Sequence, residues 1–193
     1  MEENPVRLLR TRKHIDQRGW LSETYNRRSF ERAGITAAFV QENHSLSLKS
    51  ATLRGLHFQL PPYDTAKLVR CIRGRIFDIA VDLRLGSPTF RQWVSTELSA
   101  QNGLQLLIPE GFGHGFLTLE PETEVVYRMT NLYEPKYEGG IRWDDPDLAI
   151  AWPSPPGEAS LSPRDAALPF IREVDSLFEY TGGPLRALAI EEI

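Results

Sequence analysis

The strongest constraint on this chain is a series of short, turn-punctuated alternations through its middle. Phe77, Ile79, Val81 and Leu83 alternate with Asp78, Ala80, Asp82 and Arg84, the period of a half-buried strand with its apolar side toward a core. Gly74-Arg75 before this run and Gly86-Ser87-Pro88 after it supply turn chemistry. A second alternation sets Val125, Tyr127 and Met129 against Glu124, Arg128 and Thr130. Further extended stretches are expected at Phe39 to Ser47, Thr52 to Gln59, Ala66 to Arg73, Arg91 to Leu98, Leu104 to Ile108 and Gly113 to Leu119. One short helix is expected from Ser29 to Ala33, with Ser29 as cap and Gly34 as stop. Many short strands with turn signals about every eight to twelve residues argue for an all-β sandwich or barrel. There is no βαβ alternation, no GxGxxG and no P-loop.

The 193 residues suit one domain, with a strand core over about 39–150. The loop-like Trp152-Pro153-Ser154-Pro155-Pro156-Gly157 opens an extension over about 152–193, expected to be peripheral and to contain a helix. No apolar run approaches bilayer length, and the opening Met-Glu-Glu-Asn-Pro lacks the pattern of a secretion signal. Cys71, the single cysteine, leaves no intramolecular disulfide framework and suits a reducing cytoplasm. The net charge of −4 gives no basic field for nucleic acid, yet a pocket can be locally basic and take a small anion.

Of the four histidines, His14 and His44 sit in polar surroundings. His57 lies three residues after Arg54 in a strand containing Gly55, where a ligand can approach the backbone. His114 is bracketed by Gly113 and Gly115, which leave room beside a ring. Either histidine alone reads first as a hydrogen-bonded structural residue, a reading these surroundings weaken. No His-x-His pair is present, and His57 with His114 makes a thin metal site. Gln41, Asn43, Arg54, Lys67 and Tyr127 fall on strands whose inner face a pocket could use. Their plainer readings are solvated strand residues, or for Tyr127 a core ring with its hydroxyl at the rim. Asp165 reads locally as a turn residue.

Taken together, these residues resemble the dTDP-4-dehydrorhamnose 3,5-epimerase family. Eight collinear stretches carry the resemblance. They include Asp16-Gln17-Arg18-Gly19 with Glu23, Phe39-Val40-Gln41-Glu42-Asn43-His44-Ser45, and Leu53-Arg54-Gly55-Leu56-His57-Phe58-Gln59. Ala66 to Cys71, Asp78 to Arg84, Gly86 to Phe90, Ile108 to Phe116 and Gly140 to Pro146 complete them. The resemblance implies a cupin-type β jelly roll, a homodimer, no metal or organic cofactor, and a dTDP-4-keto-6-deoxyhexose substrate. It implies roles as well: His57 as base, Asp165 as the carboxylate that orients it, Tyr127 as proton donor on the opposite face, and Lys67 beside the developing enolate oxygen. Arg18, Glu23, Gln41, Asn43, Arg54, His114, Glu138 and Arg164 match substrate-contact positions, and Tyr133 the aromatic that stacks on the nucleobase. The early Arg-Gly strand is implied to serve the partner subunit's site.

Leu21 stands where the family commonly has an aromatic, Gly113 where alanine is usual, and Arg164 where lysine is frequent. Lys49-Ser50-Ala51-Thr52 is about one residue longer than the usual approach to the Leu-Arg-Gly motif. The expected activity is epimerisation at both C3 and C5. Inversion at one carbon alone, and a non-catalytic sugar-nucleotide-binding jelly roll, are the alternatives.

Overall fold

The computed structural model describes residues 4–153, 159–174 and 178–193; the loop expected over 154–157 lies outside them. In chain order the strands are β1 (Arg7–Arg10), β2 (Lys13–Asp16), β3 (Gly19–Ser22), β4 (Gln41–Ser47), β5 (Leu53–Gln59), β6 (Lys67–Arg73), β7 (Arg75–Asp82) and β8 (Arg84–Leu85). They continue with β9 (Trp93–Ser99), β10 (Leu104–Ile108), β11 (Phe112–Thr118), β12 (Thr123–Met129), β13 (Glu138–Gly140), β14 (Phe178–Glu179) and β15 (Ile190–Glu192). The two α-helices are α1 (Arg27–Arg32) and α2 (Pro163–Ala166).

Two sheets dominate, in the orders β15-β1-β10-β6-β12-β4 and β13-β5-β11-β7-β9. Their eight central strands divide as β4-β12-β6-β10 and β5-β11-β7-β9, which is jelly-roll order and agrees with the fold class expected. One consequence matters for function. Segments far apart in sequence become neighbours, β5 beside β11 in one sheet and β6 beside β12 in the other.

Apolar residues fill three layers. Between the sheets pack Val69, Cys71, Ile76, Ala80, Leu106, Phe112, Phe116 and Val125. Behind the five-stranded sheet, Leu56, Phe58, Ile79, Val81 and Leu83 meet Ile141, Leu148, Ile171 and Phe178. Behind the six-stranded sheet, α1 covers Leu9, Leu68 and Leu107 with Phe30.

Four expectations change. The apolar alternation of β7 faces outward, under a cover that includes Ile141, Leu148, Ile171 and Phe178, while Asp78 and Asp82 face inward and are wholly buried. Both sides of this strand are therefore dry. Helix α1 begins two residues earlier than expected, because the Asn26 side chain, not Ser29, accepts from the Arg28 and Ser29 amides at 2.9 and 3.4 Å. Strand β9 starts at Trp93 because Arg91 turns at φ 68°. The extension is also less peripheral than expected. Phe178 and Leu185 are buried, and β15 pairs in parallel with β1 at the edge of the six-stranded sheet. No helix among the described residues is long and apolar enough to cross a membrane.

Candidate active site

Strands β5 and β11 bring His57 and His114 into register as a cross-strand pair. Their backbones nearly touch. A β-carbon at Gly55, which holds φ 123°, would lie 2.6 Å from Gly115 Cα and 2.7 Å from His114 O. Only glycine tolerates that approach. Gly55 therefore admits a neighbouring strand, not a ligand. The glycines around His114 likewise serve the outer face, where β-carbons at Gly113 and Gly115 would press on Leu83 and Leu56.

Each imidazole bonds a carboxylate through Nε2. His57 Nε2 is 2.7 Å from Asp165 Oδ1, and His114 Nε2 is 2.8 Å from Asp78 Oδ1. Asp165 rides on α2, whose Ser162 hydroxyl accepts from the Asp165 amide at 3.0 Å. Burial pushes the Asp165 carboxyl up, but the hydrogen bond and charge of His57 outweigh it and hold the group below the usual range. Burial is also the largest influence on His114. It depresses the imidazole despite the Asp78 charge and so favours the neutral ring.

The opposite sheet contributes Lys67 from β6 and Tyr127 from β12. The Lys67 ammonium donates to the His57 carbonyl at 3.2 Å, and burial lowers it to about 8. The Tyr127 phenol is raised, chiefly by burial, and keeps its proton at neutral pH. His57, His114, Lys67, Tyr127 and Arg54 all line one cavity of about 460 Å³. An imidazole from one sheet thus faces a phenol and an ammonium from the other. This is the equipment for moving a proton at a carbon whose neighbouring oxygen gains charge.

Tyr133, Glu138 and Arg164 line the same cavity. Tyr133, about half exposed, donates its hydroxyl hydrogen bond to Glu138, which also pairs with Arg164 at 2.6 Å. Gln41 and Asn43 stand on the edge strand β4 and are engaged with protein. Gln41 Oε1 accepts from the Tyr133 amide at 2.9 Å, and Gln41 Nε2 donates to Asn43 Oδ1 at 3.0 Å. Arg54 donates to Ser47 Oγ and Leu46 O. Arg18 and Glu23 are not brought to this cavity within one chain. Arg18 pairs with Asp16 at 2.6 Å on the β2–β3 turn with its side chain 88% exposed, and Glu23 accepts from Asn26.

Sequence reasoning missed Asp78 as a site residue, along with Ser162, Ser45 and Phe116, which line or support the cavity. A carboxylate on a strand that also carries Ile79 and Val81 was the available signal for Asp78. Nothing local marks Ser162 beyond its place as a helix cap before Pro163. Among the described residues no three His, Cys, Asp or Glu side chains cluster as metal ligands would.

A family model described as dTDP-4-dehydrorhamnose 3,5-epimerase matches residues 4–173. The chain is 46% identical over 175 residues to the dTDP-4-dehydrorhamnose 3,5-epimerase of Sinorhizobium fredii, covering 91% of this chain and 89% of that one. Its structure is similar to the dTDP-6-deoxy-D-glucose-3,5-epimerase of Legionella pneumophila, solved with dTDP-4-keto-L-rhamnose. The TM-score is 0.87 at 40% identity, over 92% and 94% of the two chains. It is also similar to a 3'-monoepimerase from Streptomyces bikiniensis in complex with dTDP-quinovose, with a TM-score of 0.80 at 34% identity, over 87% and 84%. Family model, sequence identity and jelly-roll order agree, and this chain belongs to the dTDP-4-dehydrorhamnose 3,5-epimerase family.

Proposed function

We propose that the protein is an isomerase that inverts C3 and C5 of dTDP-4-dehydro-6-deoxyglucose, giving dTDP-4-dehydrorhamnose for activated rhamnose synthesis. His57 is the base. Its Nε2 is committed to Asp165, which leaves Nδ1 for the substrate proton. The observation that carries this reading is the facing of His57, on one sheet and bonded to Asp165 of α2, by Tyr127 and Lys67 on the other sheet, across a single cavity.

The energetics explain why each group is needed. A free imidazole in water faces a gap of roughly a dozen pKa units to a carbon acid beside a ketone, or about 16 kcal/mol. A turnover near 10 per second allows a total barrier of about 16 kcal/mol. Proton transfer alone would use all of it, so the enolate oxygen must be stabilised, and Lys67 is the buried cation beside the base. Asp165 stabilises the imidazolium that forms. Inversion then requires a proton from the other face, because a base returning its own proton restores the starting centre. Tyr127, held protonated by burial, supplies it.

Arg54 and Arg164 suit diphosphate oxygens through their planar forks, and Tyr133 at the mouth offers a ring face to the nucleobase. Arg18 and Glu23 are assigned to the partner's cavity in a homodimer. That assignment is supported by the β2–β3 hairpin, which carries Ile15, Trp20 and Leu21 at 81, 60 and 73% exposure. One buried cysteine suits a cytoplasmic enzyme.

The test is NMR of dTDP-4-keto-6-deoxyglucose incubated with the protein in D₂O, scored carbon by carbon. Deuterium at C3 and C5 with inverted product is expected. Label at C3 alone would assign the chain to the activity of its monoepimerase relative. No label at either carbon would leave a binding protein.

A further inference from the structure

Asp78 is a strongly placed group beside the cavity that this mechanism does not use. It is wholly buried on β7, bonded to His114, and its Oδ2 has no hydrogen-bond partner among the described residues. A buried carboxylate with a bare oxygen is costly unless its charge serves something. That charge acts on Lys67, His114 and Cys71, and the first two of these line the cavity. The carboxylate supports the protonated form of buried Lys67 and acts on His114.

The hydrogen-bond logic is restrictive. An ionised carboxylate only accepts, so the proton between Asp78 and His114 belongs to the imidazole and sits on Nε2. A neutral ring carries one N–H, which leaves Nδ1 with a lone pair. His114 lines the cavity beside His57.

We propose that Asp78 is a positioning and specificity-determining residue: it fixes the Nε2–H tautomer of His114, making Nδ1 an obligate acceptor that selects substrates presenting a ring hydroxyl there. A deoxy position leaves that lone pair buried and unpaired, and a carbonyl sets acceptor against acceptor. The inference rests on the sugar-nucleotide reading of the cavity given above.

The direct test is ¹⁵N NMR of imidazole tautomers, with His114 assigned by comparison with His114→Gln. In the unaltered protein at pH 7.5, His114 is expected to show the Nε2–H pattern. Its Nδ1 resonance should move on saturation with dTDP-glucose and stay put with either the 2-deoxy or the 3-deoxy analogue. An Nδ1–H tautomer, or equal responses to all three sugars, overturns the proposal without any variant having to fold. In kinetics, the unaltered enzyme should discriminate at least tenfold in KM against 4-keto substrates lacking that same hydroxyl. Asp78→Asn, which can donate to Nε2 and invert the tautomer, should reduce the ratio below threefold. A merely structural Asp78 would lower stability and leave the ratio unchanged. Deuterium exchange into the sugar by the unaltered protein separates the two readings. No exchange defeats the epimerase assignment, whereas exchange with the wrong tautomer defeats only this inference.

Discussion

His57–Asp165 and His114–Asp78 are nearly the same object built twice. Both bond through Nε2, at 2.7 and 2.8 Å, and the two rings are cross-strand neighbours. They differ in exposure and in what carries the carboxylate. The His57 side chain is 29% exposed, and its carboxylate arrives on the four-residue helix α2 of the extension. The His114 side chain is 7% exposed, and its carboxylate is set rigidly in the adjacent strand β7. Identical pairs can thus hold different posts. Both rings line the cavity, but the more open one can exchange protons, while the more deeply buried one, with its basicity depressed by burial, is suited to fixed hydrogen bonding.

The comparison breaks most visibly if the two histidines are swapped in importance. His57→Ala is expected to abolish deuterium exchange at both sugar carbons, a loss of at least about 10⁴. Label retained near the unaltered level would assign the base elsewhere. Asp165→Asn should cost about 10³ to 10⁴ in kcat, because an amide can leave the wrong tautomer facing the substrate. Tyr127→Phe separates the faces. Exchange into substrate should persist while inverted product falls about 10² to 10⁴, and an unchanged product yield would remove the phenol from its role.

Lys67 links the pairs, donating to the His57 carbonyl while feeling the Asp78 charge. Because burial lowers its ammonium to about 8, kcat/KM should decline as pH rises through that value. Stability should move the other way. In the unfolded chain the lysine titrates near 10.5, so between about pH 8 and 9 the unfolded state holds a proton that the folded state has lost. By linkage, stability then rises with pH. Above pH 9 the Cys71 thiol, pushed up to about 11 mainly by burial, opposes it: the folded state keeps a proton the unfolded state releases. Parallel activity and thermal-melt profiles over pH 7 to 9 check both signs.

The same contrast explains what was legible in the sequence. The eight central strands were readable because two carry a clear alternation and turn residues bound the other extended stretches, and most ends fell within a residue or two. Which face of β7 looks inward was not readable. A period of two defines two faces, and here the apolar one is covered by Ile141, Leu148, Ile171 and Phe178 while Asp78 and Asp82 go inside. The pair completed within one sheet was therefore the one misjudged. His57–Asp165 closes across 108 positions, and Asp165 by its own surroundings is only a turn residue, so only the family resemblance pointed to it. The short strands β1–β3 and β13–β15, at most four residues long, are too brief to display a period at all.

The smallest expected effect sharpens the difference in how the two carboxylates are held. Ser162→Ala removes the hydroxyl that accepts from the Asp165 amide at 3.0 Å and caps α2. A lost cap costs about 1 kcal/mol, and part of that falls on the orientation of Asp165. Because β7 pairs with β11 from Ile76 to Asp82, Asp78 has no comparable dependence on a cap. Ser162→Ala should accordingly lower kcat about two- to fivefold with KM nearly unchanged, and leave discrimination between hydroxyl and deoxy sugars as it was. Ser162→Thr, which restores a capping oxygen, should recover most of the rate. If Ser162→Ala instead altered sugar discrimination, the two pairs would be mechanically coupled through β5 and β11, and the independence drawn from their separate supports would fail.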